Sequence, residues 1–256
     1  MKTVDMSLRI LNWLAQQYGE CGVVDISREF DIDKATVYRH LKTLVKAGFV
    51  ERNPHSRRYR AGFALVELSG LVLSHIRLLD LARPLMAELW QTFGESMQLS
   101  ILRGMRGLFN IHRIESVQGV KFASQLGTYS PIHCSSSGKS ILAFLPQDSL
   151  ARVLDAPLKQ YTANTIIDPD VLLLELDLIR EQGYATDNQG VLEHLSTVAA
   201  PIFAADHLPV AAIAVGAPSH LLDKKRINKI LPELLIATRQ LSQKLHNQPM
   251  PEAILP

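Results

Sequence analysis

The chain has 256 residues, 47% apolar and 20% charged, with a net charge of +2; this composition excludes low-complexity disorder and, at this length, predicts a small module joined to a larger one. Cys21 and Cys134 fall in different predicted domains and the nine histidines never recur at helical metal-ligand spacing, so a disulfide framework, a metal site and a cofactor are all unexpected, and a reducing cytoplasm is the expected compartment. Charge is uneven: between Asp33 and Arg60 stand eight basic residues and two acidic ones, +6 locally and −4 over the remainder, which predicts a polyanionic partner touching one small region.

The first twenty residues lack the unbroken apolar core and cleavage site of a signal peptide, so no export is implied. Leu8, Leu11 and Ala15, with Ile10 and Leu14 on the flank, predict a first amphipathic helix. VVDISREFDI predicts a short second helix with Asp25 as its N-cap, Ile26 and Phe30 on one face, and an end near Asp31. In DKATVYRHLKTLVKAGF, Asp33 caps a third helix, Val37, Leu41 and Leu44 form its apolar stripe, and Gly48 stops it. Two helices joined by a tight turn, the second carrying an outward polar and basic face, form a helix-turn-helix whose second helix suits a major groove.

FVERNPHSRRYRAG then predicts a hairpin, with FVER and RRYRA as arms and NPHS as turn. A hairpin in this place is the wing of a winged helix. The expected double-stranded-DNA contacts are Ser27, Lys34, Ala35, Thr36, Tyr38, Arg39 and Lys42 on the helices, with Arg57, Arg58 and Arg60 on the wing. Wing arginines neutralise phosphates, while Thr36, Tyr38 and Arg39 meet base edges. For Tyr38 a place in the small core beneath the wing is an equal alternative.

Residues 63–79 predict a linker helix with Leu65, Leu68, Val72, Ile76 and Leu79 along one face. That face needs a cover, either from its own domain or, as favoured here, from the same helix of a second chain, which would set two reading helices on a palindromic site. The expected organisation is a DNA-binding domain over 1–62, the linker over 63–79 and a ligand-binding domain over 80–256.

Beyond Pro84 the pattern is mixed. SMQLSILRG, GLFNIHRIES, STVAAPIF and LPVAAIAVGAP predict strands. KSILAFL is helical; a further helix begins with Asp168 as cap and Pro169 at its first position and ends at Gly183; a closing helix is bent or restarted at Pro232. The apolar stretch 198–215 is interrupted by Pro201, Asp206, His207 and Pro209, which excludes a membrane-spanning helix there. The fold class is α+β, an antiparallel sheet flanked by helices behind a winged helix-turn-helix.

DISREFDIDKATVYRHLKTLVKAGFVERNPHSRRYRAG, followed in order by RPLMAEL, PIHCSSSGKSILAFLP, TIIDPDVLLLELDLIREQGYATD and VAAPIF, resembles the IclR family of bacterial transcriptional regulators from about Val4 to about Leu245. The resemblance implies a homodimer, often paired into a tetramer, whose GAF-like C-terminal domain binds a small organic acid and alters operator occupancy, usually at a catabolic operon. Both repressors and activators occur in the family, and repression is the expectation. It further implies that Ser135, Ser136 and Ser137 line the effector site, main-chain amides of Ser136 and Ser137 holding a carboxylate, as suits a helix N-terminus. Asp187 and Thr197 correspond to further polar positions; Asp187 binds a ligand hydroxyl or caps its own loop. Ala214 and Gly216 stand where the family often has serines, which predicts a roomier, less polar pocket for a larger or more apolar acid. NQGVLEHLS departs from the family's usual acidic stretch.

An enzyme is not expected. The phosphate-loop pattern GxxxxGK[ST] fails because His133 replaces its first glycine, and a hydrolase elbow around Ser136 fails at Cys134.

Overall fold

The computed structural model describes residues 2–104, 107–116 and 126–246; the turn between the first two strands of the larger domain is therefore described only in part, and the last ten residues of the expected domain 80–256 lie outside. Two compact units divide between Ile76 and Arg77.

The first unit holds three helices, α1 (Lys2–Gln16), α2 (Val23–Phe30) and α3 (Lys34–Lys46), a hairpin of β1 (Val50–Arg52) and β2 (Tyr59–Ala61), and α4 (Ala64–Ser74). Its core joins Ile10, Leu14, Ile26, Val37, Leu41, Val50 and Tyr59. The face of α1 differs from the expected one: Ile10 and Leu14 are buried, whereas Leu8 is 58% exposed. Four residues apart, Ile10 and Leu14 share the face that packs on α3 and β2, where Ser7 Oγ also lies 2.7 Å from His40 Nδ1. The cap of α2 differs too. Gly22 is the N-cap and Asp25 the third helical residue, its carboxylate accepting the Gly22 N–H at 2.8 Å. Asp33 caps α3 as expected, accepting from the Thr36 N–H, and Gly48 takes a positive φ of 75° just past the helix end. Cys21 pairs with Tyr59 through both backbone bonds and extends the wing by a third short edge.

The expected continuous helix over 63–79 is divided. α4 stops at Ser74, and α5 (Arg77–Phe93) begins beyond His75 and Ile76. Leu79 is buried in α5, while α4 buries no residue at all. Apolar residues on every side of this stretch hid the break, since periodicity marks a face only where a polar face opposes it.

The second unit contains β3 (Ser96–Leu102), β4 (Leu108–Ile114), β5 (Tyr129–Ser130), α6 (Ser136–Leu142), α7 (Gln147–Leu154), α8 (Pro169–Gln182), β6 (Ala185–Asn188), β7 (Leu195–Phe203), β8 (Pro209–Pro218) and α9 (Lys224–His246). The strands form one antiparallel sheet in the order β5-β4-β3-β8-β7-β6. Helices α5 and α9 pack together on it, and α6 with α8 forms a second pair over β6, β7 and β8. Asp168 caps α8 through two backbone N–H groups and Gly183 ends it at φ 79°. Pro232 neither ends nor restarts α9, which runs unbroken for 23 residues. Among the described residues no helix is long and apolar enough to cross a membrane.

Candidate DNA interface and ligand cavity

Helix α3 turns Val37, Leu41 and Leu44 into the core and leaves Lys34, Ala35, Tyr38, Arg39 and Lys42 exposed. Tyr38, 51% exposed, stands on the outer face rather than beneath the wing. Arg39 is oriented by a local chain of bonds: its Nη2 donates to Thr36 Oγ1 at 2.8 Å, and that hydroxyl donates to Asp33 Oδ2 at 2.7 Å. The same bonds to Thr36 hold the Asp33 carboxyl below the usual range. Ser27 Oγ is spent inside the turn between α2 and α3, donating to the Ile32 carbonyl at 2.6 Å.

The wing arginines are not equivalent. Arg58 pairs with Asp25 at 2.9 Å and donates to the Glu20 carbonyl at 3.0 Å, and Arg60 pairs with Glu51 at 2.9 Å. Arg58 thereby fastens the hairpin to its surroundings, whereas Arg60 pairs across the hairpin itself, opposite Glu51 on β1. Arg57, at a φ of 57° in the turn, is exposed, and its head group has no ion-pair partner among the described residues. The sequence count of +6 already subtracts Glu51, but Asp25, outside the counted segment, engages a further cation, so the charge free for a partner is smaller than that count.

In the second unit, Ser135, Ser136, Ser137, Asp187, Thr197 and Ala214 come together around an inner cavity of about 30 Å3, with Gln98, Ser130, Val191 and Leu195. Strand register explains the meeting: Asp187, Thr197 and Gly216 form one lateral row across β6, β7 and β8, and Ala199, Ala214 and Gln98 the next. Gly216 lies in the first row but does not line the cavity, having no side chain to reach it. Ser136 and Thr197 hydroxyls meet at 2.6 Å. The expected roomier pocket is not found. Val191, Leu195 and Gln98 are among the lining residues, and the volume holds about one water.

Helix α6 begins at Ser136, three residues before the expected run KSILAFL, with Ser135 Oγ accepting the Gly138 N–H at 3.1 Å. The N–H groups of Ser136 and Ser137 have no acceptor among the described residues. Lys139 is buried and paired with Glu175 of α8, and Ser140 Oγ donates to the Ser137 carbonyl. Both are thus engaged within the fold. Burial pushes the Cys134 thiol up to about 12, the opposite of an activated nucleophile. His133 Nε2 donates to the Lys159 carbonyl, 3.0 Å away, and burial lowers its pKa.

Asp187 Oδ1 accepts the Gly190 N–H at 2.6 Å, so it does cap its own loop. Burial pushes its carboxyl up to about 6, against smaller opposing effects from that bond and from Lys139. A carboxyl raised on folding lends stability while protonated, and that contribution is lost as pH rises from about 4 through about 6. Asp187→Asn keeps the acceptor and removes the charge. It is expected to stabilise the fold at pH 8 by about 1.4 kcal/mol relative to its effect at pH 5. Thermal unfolding of both proteins across that range checks this, and a pH-independent difference would contradict it.

Polar neighbours of the cavity that the sequence reading missed come mainly from β3 to β5. Gln98, Ser100, Asn110 and Ser130 form a buried ladder, with Gln98 Nε2 donating to Asn110 Oδ1 and Ser100 Oγ to the same atom, each at 2.7 Å. Their signal was the alternation Ser96, Gln98, Ser100 along one strand face, which reads equally well as a solvated face.

Family models match both units: the IclR helix-turn-helix domain over residues 3–54 and the bacterial transcriptional regulator IclR C-terminal domain over residues 70–243. The chain belongs to the IclR family. It is 29% identical over 233 residues to the HTH-type transcriptional regulator KdgR of Escherichia coli, covering 90% of this chain and 88% of that one. To the HTH-type transcriptional repressor AllR of the same species it is 29% identical over 226 residues, covering 88% and 83%. The crystal structure of IclR from Thermotoga maritima superposes with a TM-score of 0.82 at 30% identity, covering 96% of this chain and 99% of that one. As an IclR-family protein the chain is a transcriptional regulator, with a DNA-binding helix-turn-helix domain and an effector-binding C-terminal domain. It is not an enzyme, and the motif at residues 133–140 is part of the effector domain's fold.

Proposed function

We propose that this IclR-family regulator is a cytoplasmic repressor of a catabolic operon, released by a small organic acid bound at the inner cavity. The observation that carries the DNA reading is the outer face of α3, where Lys34, Tyr38, Arg39 and Lys42 are exposed directly opposite a closed apolar core. Arg39, with Thr36 and Tyr38, reads base edges, while Lys34, Lys42 and Arg57 meet phosphates. Arg58 and Arg60 shape the wing first and contribute charge second. Repression is supported by the similarity to AllR, itself named a repressor.

The acid's carboxylate takes the free N–H groups of Ser136 and Ser137, and the Thr197 hydroxyl gives it a third donor after exchanging its bond from Ser136. Asp187 accepts from a hydroxyl of the ligand. A cavity of 30 Å3 is an order of magnitude below the usual size of a ligand pocket, so Val191 and Leu195 must swing aside for the acid to enter. Binding and a change of the 190–195 segment are then the same event. Thr197→Val tests this: in a mobility shift on the DNA upstream of its own gene, screened with organic acids, the variant keeps DNA binding and loses at least tenfold in acid sensitivity. Unaltered sensitivity would remove the cavity from the account.

A dimer supplies two reading helices for a palindromic operator. Helix α4 favours it, since Val66, Leu68, Leu71 and Val72 are all about half or more exposed along eleven residues that bury nothing. Leu71→Glu is expected to yield monomers in analytical ultracentrifugation at micromolar concentration and to weaken operator binding; a dimer of unchanged strength would contradict this role.

A further inference from the structure

A second opening in the effector domain shares no residue with the inner cavity. It is a groove of about 430 Å3 where the end of α8, the end of β7 and the last turns of α9 converge, a volume in the range of small-molecule sites. Its floor is apolar, with Phe144 and Phe203 packed edge to face at a centroid distance of 5.1 Å and Pro201 and Leu235 beside them. One wall carries donors. Arg239 projects from α9, exposed and without an ion-pair partner among the described residues. His246, two turns further along α9, is stacked edge to face against His207 at 5.4 Å, and its Nε2 is buried with no hydrogen-bond partner among the described residues. Arg180, the other cation of the groove, is held by the Ala143 carbonyl and Asp177. Glu181 is the lone acid among the lining residues.

An unpaired guanidinium and an unsatisfied buried ring nitrogen beside an aromatic floor ask for a ligand with one anionic end and one flat apolar end. We infer that this groove is a second ligand site, taking a small carboxylate with a flat apolar body: the carboxylate bridges Arg239 and His246, and the body lies on Phe144 and Phe203. The two sites are joined by α6, whose first residue, Ser136, lines the inner cavity and beyond whose end Phe144 lines the groove.

The probe is 4-bromobenzoate. Crystals of the full chain soaked in it are expected to show a bromine peak over Phe144 and Phe203, with the carboxylate within hydrogen-bond reach of Arg239 and His246. In solution at pH 7, calorimetry on the full chain is expected to show that Arg239→Ala and His246→Phe each weaken this binding at least tenfold, while Thr197→Val leaves it unchanged. Glu181→Gln, which removes the opposing charge, strengthens it. Bromine confined to the inner cavity, a groove occupied by the chain itself or by a second copy, binding at crystal concentration only, or unchanged affinity in both the Arg239 and His246 variants would each overturn the inference.

Discussion

Arg39→Ala is expected to weaken operator binding ten- to a hundredfold, about 1–3 kcal/mol, and to relax base preference at one operator position. The side chain is exposed on α3 and already oriented by Thr36, itself bonded to the Asp33 cap, so little ordering cost is left for the DNA to meet. Melting should be unchanged, because no core residue depends on the guanidinium. Two wing substitutions separate DNA contact from fold. Arg57→Ala, at a head group with no ion-pair partner among the described residues, weakens binding evenly across sequences and lowers the salt slope by about 1 per subunit. Arg58→Ala loses the bonds to Asp25 and the Glu20 carbonyl, and so also lowers Tm by about 1–3 °C. Fluorescence anisotropy with calorimetry on the three variants checks this ordering; an Arg39→Ala protein that binds as wild type would remove α3 as the reading helix.

Gly138→Ala is expected to have the largest effect on stability. A Cβ at Gly138 would stand 1.9 Å from the Ile132 carbonyl oxygen and 2.5 Å from its carbon. Both belong to backbone, so no rotamer relieves the clash; either the 132–135 segment or α6 must move. The same displacement opens the Ser135 cap and shifts Ser136 and Ser137 away from Thr197. A loss of about 3 kcal/mol or more follows, together with loss of acid sensitivity. Gly19→Ala, where an added Cβ meets nothing within 4 Å, is the neutral control. Differential scanning calorimetry of the two variants measures the contrast, and equal melting would show that α6 is not held by this crossing. The glycine in HCSSSGKS therefore serves a backbone crossing, where a phosphate loop would use its glycines to surround a nucleotide.

The clearest sequence signals were those with both a start and a stop. Helix α3 carries an Asp33 cap, a three-residue apolar stripe and Gly48; α8 carries Asp168, Pro169 and Gly183. Each sits where its punctuation places it. Helix α1 was read on the wrong face because apolar residues lie on two sides of it, and only contact with α3 and β2 selects Ile10 and Leu14. The α4–α5 break left no trace in periodicity, because apolar residues lie on every side of this stretch. Strands β5 and β6 are too short for periodicity to register.

For the cavity, the motif at 135–137 and the later positions Asp187, Thr197 and Ala214 were accessible from resemblance, and the structure brings them together. Gln98, Ser130, Val191 and Leu195 were not. Their presence depends on strand order and register across the sheet, which no local pattern encodes. The wing shows the reverse case. Charge counting found the patch, but only geometry shows that Arg58 and Arg60 already have carboxylate partners.

Helix α3 and the wing are proposed to bind DNA as a polyanion, under the control of the inner cavity. Anisotropy of the full chain on DNA from upstream of its own gene, titrated between about 50 and 200 mM salt, tests this most directly. The expected result is a linear fall of log K with log salt, steeper than about −4 for two subunits, a clear preference over unrelated DNA, and release by an organic acid that Thr197→Val abolishes. A flat salt response, or equal affinity for unrelated DNA that no acid changes, would contradict it.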